Sequence, residues 1–72
     1  MSAAYMEVCA MYNRFTGGYE YWIAMTAGCH VVKRIWEGSD SEPEVVFKGS
    51  YSVCRHYIDD TIRANYEYDN DI

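Results

Sequence analysis

The chain has 72 residues, a formal net charge of -5 and twelve aromatic residues, eight of them Tyr. Half of the residues are apolar and 24% are charged, a globular rather than a disordered composition. This is enough for one domain that buries only roughly 60% of the surface its unfolded chain exposes. Its apolar runs, broken by Glu20, Lys33 and Arg34, fall short of the ~20 residues a membrane helix requires.

The opening Met1-Ser2-Ala3-Ala4 lacks the basic-then-apolar order of a secretory signal, so a cytoplasmic location is expected. From Tyr5 to Phe15 the residues are mostly β-branched, aromatic or sulfur-bearing, with no helical stripe, which predicts a strand over about 5–15. Thr16-Gly17-Gly18 then precedes a second such run over about 19–27, the pattern of a hairpin, because paired glycines accept the positive φ of a tight turn. A third strand is expected over 30–36, after Gly28, and a short fourth over 45–48. Residues 37–44 between them read as an exposed acidic loop.

Beyond Gly49 the period changes to 3.6. Tyr51, Cys54, Ile58, Ile62 and Asn65 share a face widened by Val53, Tyr57 and Thr61, predicting an amphipathic helix over about 51–66 with Ser50 as its N-cap. On the opposite face Arg55, Asp59 and Arg63 stand four apart, as do His56 and Asp60, spacings worth ~0.3 kcal/mol per ion pair. Residues 67–72 are expected to fray. The fold class is therefore α+β: a three- to four-stranded antiparallel sheet with one C-terminal helix packed on one face.

Charge is unevenly spread. Residues 37–44 carry Glu37, Asp40, Glu42 and Glu44 with no base, and residues 59–72 carry five acids against Arg63 alone, so each block is -4 and the body between and before them is +3. Duplex DNA, whose binding rests on phosphate neutralisation, is disfavoured by this field, whereas a basic protein surface suits it. The simpler reading of either block is a solubilising loop or tail.

The aromatic content exceeds what one helix can shelter. Tyr19, Tyr21, Ile23 and Met25 alternate with Trp22 and Ala24, so both faces of the second strand are apolar, and the face away from the helix calls for a cover. The residues expected to meet a partner are Tyr19, Tyr21, Trp22 and Trp36 on the sheet and Asp40, Glu42 and Glu44 in the acidic loop. Asp59 and Asp60 on the helix and Tyr66, Glu67 and Tyr68 at its end complete the set, since rings alternating with carboxylates suit a basic groove.

Other chemistries fit less well. Cys29, His30, Cys54 and His56 are zinc-ligand types at the wrong spacings, because neighbours on a strand diverge and so do residues two apart on a helix. Cys9, Cys29 and Cys54 are odd in number without a C-x-x-C pair, which indicates plain thiols rather than a disulfide framework. Asp59 and Asp60 splay apart, and Thr16-Gly17-Gly18 lacks the length and the Lys of a phosphate-binding loop, so no enzyme, metal or cofactor is expected.

The leading expectation is a small acidic inhibitor that blocks a basic, nucleic-acid-binding surface of a larger protein complex. In size, acidity and aromatic excess the chain is similar to the small inhibitors that phages carry against host defence, anti-CRISPR proteins among them. That likeness is one of composition alone, so no family site is carried over. Host cytoplasm would then be the setting. Two alternatives stand beside it: a homodimeric structural or assembly module covering its own second sheet face, and a single-stranded nucleic-acid binder using Tyr and Trp as a stacking platform near Lys33 and Arg34.

Overall fold

The computed structural model describes residues 10–70, with the side chains of 67–70 left aside. Four strands, β1 (Met11–Thr16), β2 (Tyr19–Thr26), β3 (Cys29–Trp36) and β4 (Glu44–Gly49), are followed by one helix, α1 (Tyr51–Asn70). The strands form an antiparallel meander in the order β1-β2-β3-β4. This is the expected α+β architecture with four strands. The N-terminal part of the first expected strand, residues 5–9, lies outside the described residues, and β1 begins at Met11.

Two two-residue turns make the first reversals. Gly17 and Gly18 have φ of 60° and 83°, and Ala27 and Gly28 have φ of 52° and 79°; two successive positive φ values twist a hairpin in the hand its strands require. A Cβ on Gly18 would stand 2.7 Å from the Trp36 ring, so the indole lies directly on this turn. Gly18→Ala therefore combines a left-handed backbone with a clash, and we expect it to cost about 1–2 kcal/mol in a thermal or urea melt and to displace the Trp36 fluorescence.

The helix starts where the sequence calls for it. Ser50 Oγ accepts from the Val53 amide at 3.3 Å and the Ser50 carbonyl accepts from the Cys54 amide at 2.9 Å. It runs four residues beyond Tyr66, to Asn70, because no Gly or Pro stops it there. Cys54 and Ile58 on its inner stripe are fully buried against Tyr21, Ile23 and Val32, with Met11, Tyr12, Phe47, Tyr57 and Ile62 around them. Tyr57 stacks on Phe47, ring centroids 4.8 Å apart.

Burial pushes the Cys54 thiol above its ordinary value of 9.0. The unfolded chain then loses the proton first as pH rises, so the stability this thiol contributes is intact at neutral pH and declines above about pH 9. Cys54→Ala is expected to lower the melting temperature but flatten its fall between neutral and alkaline pH. Equal slopes in the two proteins would contradict this.

A second cluster occupies the other face: Trp22, Ala24 and Val31 are buried there, with Ala10 and Ile35 packed against them. Glu20 lies on the same face, 3% exposed, and accepts from Asn13 Nδ2. Both faces of β2 are thus buried within one chain. The expected alternation along β1 is interrupted, since Ala10 packs on this face while both Met11 and Tyr12 pack on the helix face. A bulge between Met11 and Arg14, with Tyr12 at a φ of 52°, is the cause.

Candidate functional site

Topology decides which charges meet. In an antiparallel meander the β1–β2 turn and the β3–β4 connection lie at one end of the sheet. The helix leaves β4 at the opposite end and returns to the first, where Asn65 Nδ2 donates to Thr16 Oγ1 at 3.0 Å. The Glu37 amide donates to the Gly18 carbonyl at 3.0 Å, tying the start of the acidic connection to the same turn. The first acidic block and the C-terminal part of the second consequently converge. Glu37, Asp40, Glu42 and Glu44 approach this end from the sheet, while Glu67 and Asp69 are carried there on the last turns of α1.

The largest exposed rings lie at the same end. Trp36 is 56% exposed, Phe15 53% and Tyr66 67%. Trp36 is steadied from beneath by the edge of Tyr19, centroids 5.1 Å apart, and Tyr19 by the Arg34 guanidinium 4.2 Å from its ring centre. Arg34 Nε donates to Glu44 Oε1 at 2.6 Å and Nη1 to the Tyr21 hydroxyl at 3.4 Å. These two hydrogen bonds, Tyr21 first, hold the guanidinium firmly in its charged form. Aromatic rings fixed by neighbours and bordered by carboxylates are suited to a basic protein surface.

The residues singled out from sequence divide into three sets. Tyr19, Trp36 and Glu44 are brought together through Arg34, with Asp40 and Glu42 exposed in the adjoining connection and Tyr66 across the turn. Tyr21 and Trp22 are buried on opposite faces, at 4% and 0% exposure, and present no ring to solvent. Glu67 and Tyr68 lie on α1, their side chains outside those described.

Asp59 and Asp60 diverge, as neighbours on a helix must. Asp60 Oδ1 lies 3.7 Å from Arg63 Nη2 in an exposed ion pair, while Asp59 turns to the sheet and accepts from the Tyr12 hydroxyl. The expected Arg55–Asp59–Arg63 ladder does not form. Arg55 instead lies over the Tyr12 ring, 4.2 Å from its centre, and Arg14 lies 4.1 Å from the same centre. No local pattern in the sequence marks Tyr12, Arg14 and Phe15, because the bulge between Met11 and Arg14 is a tertiary feature.

Among the described residues no helix is long and apolar enough to cross a membrane, and no three His, Cys, Asp or Glu side chains gather as a metal site. Cys29 is exposed at the start of β3 and Cys54 is buried under the helix, with Cys9 outside the described residues. No protein-family model, curated protein or solved structure matches the chain.

Proposed function

We propose that this chain is a stoichiometric protein-binding module of the inhibitor kind. Its acidic, ring-bearing end occupies a basic surface on a larger protein, and where that surface holds nucleic acid the carboxylates stand in for phosphates. A counter-defence inhibitor of the anti-CRISPR type is the setting its composition suits. The observation that carries this reading is the convergence of Glu37, Asp40 and Glu42 with the exposed rings of Trp36, Phe15 and Tyr66 at one end of the meander. Because Trp22 is buried within a single copy, the sheet face away from the helix supports neither the inhibitor nor the homodimer reading, and the proposal rests on the acidic, ring-bearing end.

The test is quantitative binding to a captured partner, with contacts mapped by cross-linking. Trp36→Ala is expected to weaken binding by about tenfold or more, as anchors at the centre of an interface do. Reversing Glu37, Asp40 and Glu42 to Lys is expected to slow association by about tenfold at low salt, and nucleic acid is expected to compete. A partner that grips the opposite end, or one indifferent to both changes, would overturn the reading.

A further inference from the structure

Along the first half of α1, on the side facing β1, lies an open groove of about 380 Å³ lined by Tyr51, Ser52, Arg55, His56 and Asp59. It belongs to the opposite half of the molecule from the acidic end and plays no part in the function proposed above. Two of these residues, Arg55 and Asp59, also meet Tyr12 of β1. Tyr12, in a left-handed backbone conformation, passes its hydroxyl to Asp59 and holds both Arg14 and Arg55 against its ring. Strain of this kind persists only where neighbouring contacts impose it, and it concentrates at sites of binding.

Among the described residues neither Arg14 nor Arg55 forms an ion pair, although acids outnumber bases in the sequence by eleven to six. Asp59, the carboxylate nearest to them, already accepts from Tyr12 through Oδ1. Arg55 is held in its charged form by the Tyr12 hydroxyl first and by the nearby Asp59 last. Arg55, the guanidinium on the groove wall, stands beside a carboxylate already engaged by Tyr12, and its fork carries donors beyond the one given to that hydroxyl, the geometry that recognises a planar or tetrahedral oxyanion.

The remaining lining narrows the ligand. The Ser52 hydroxyl and the His56 imidazole add donors one helical turn or less from Arg55. Tyr51, 37% exposed and set edge-on to His30 at 5.8 Å, offers a ring face, and the free oxygen of Asp59 can accept from a hydroxyl. We propose that this groove binds a small phosphate monoester that carries a planar ring, of nucleoside monophosphate size, with its phosphoryl group on Arg55, Ser52 and His56 and its ring against Tyr51. The volume lies at the lower end of the ~300–1,000 Å³ that small-ligand sites occupy. A phosphorylated strand end carries the same chemistry, but the chain's overall negative field repels a polyanion more than a small monoester.

The experiment is amide NMR of the intact chain at low ionic strength, titrated with AMP, adenosine, inorganic phosphate and a short 5′-phosphorylated oligonucleotide. Saturable shifts over residues 51–59 are expected with AMP, about tenfold weaker ones with inorganic phosphate, and none with adenosine at the same concentration. Arg55→Gln is expected to weaken AMP by about tenfold or more, and Arg55→Lys by less. Both residues 52 and 55 are exposed, so the variants should fold; Ser52→Ala provides a second, gentler loss if Arg55→Gln disturbs Tyr12. Glu37→Gln at the acidic end should leave AMP binding unchanged while slowing the protein partner, which separates the two proposals. Absence of saturation with AMP up to about 10 mM, affinity unmoved by Arg55→Gln, or tighter binding of the oligonucleotide than of AMP would overturn the assignment.

Discussion

Trp22→Ala is expected to remove about 3–5 kcal/mol of folding stability, the cost of deleting a large ring from a core that cannot fully collapse. A domain of this length has only about 4–11 kcal/mol in total, at roughly 0.05–0.15 kcal/mol per residue, so the variant should be partly unfolded near physiological temperature. The reason is position: Trp22 is fully enclosed among Ala24, Val31, Ala10 and Ile35 on the face away from the helix. Its indole Nε1 is buried without a hydrogen-bond partner among the described residues, a cost of about 1–3 kcal/mol that the ring's packing must outweigh. Trp22→Phe deletes that N–H together with some volume, and the two effects oppose each other. We therefore expect Trp22→Phe to lose less than about 1.5 kcal/mol in urea unfolding. If Phe proves as damaging as Ala, the indole has a polar role that its surroundings do not reveal.

Much of the fold is legible in particular residues. Gly17-Gly18 marks the first hairpin because few other pairs tolerate two positive φ values, and the helix is announced by Ser50 and the Cys54–Ile58–Ile62 stripe. The second hairpin turn is less legible, since Ala27 adopts a φ of 52° that its side chain does not favour. The bulge at Tyr12 is invisible locally. It is secured by Asp59, 47 residues away, a carboxylate whose helical spacing points instead to ion pairs with Arg55 and Arg63. Burial of Glu20 is hidden for the same reason, because its partner Asn13 meets it only across the hairpin.

The candidate contact surface is legible as charge but not as rings. Two acidic blocks can be read directly, and an antiparallel order of four strands and a returning helix suffices to bring the first and the C-terminal part of the second to one end. Which rings accompany them depends on side-chain direction. Tyr19 and Trp36 are cross-strand partners and share the helix face, whereas Trp22, three residues from Tyr19, points the other way. The aromatic surplus divides between two cores, which is why Trp22 and Tyr21 serve stability while Trp36, Phe15 and Tyr66 are exposed.

Tyr21→Ala is the other large loss expected, again about 3–5 kcal/mol, and its consequences reach the acidic end. The ring is 4% exposed within the core beneath the helix, and its hydroxyl accepts from Arg34. Arg34 in turn holds Glu44 and lies over Tyr19, whose ring edge supports Trp36. Removing Tyr21 thus withdraws the buried anchor of a chain of contacts that ends on an exposed indole. Tyr21→Phe separates the two effects: it keeps the packing and gives up one long hydrogen bond, for an expected loss of about 0.5–1.5 kcal/mol. Its thermal melt should lie close to that of the parent, and binding of a protein partner should be nearly unchanged. Trp36→Ala should show the reverse, a small change in the melt and a large one in binding, because its ring is mostly in solvent. Should Tyr21→Phe weaken binding as much as Trp36→Ala at an unaltered melting temperature, the hydroxyl and Arg34 would belong to the contact itself, and the division between core and contact rings would have to be redrawn.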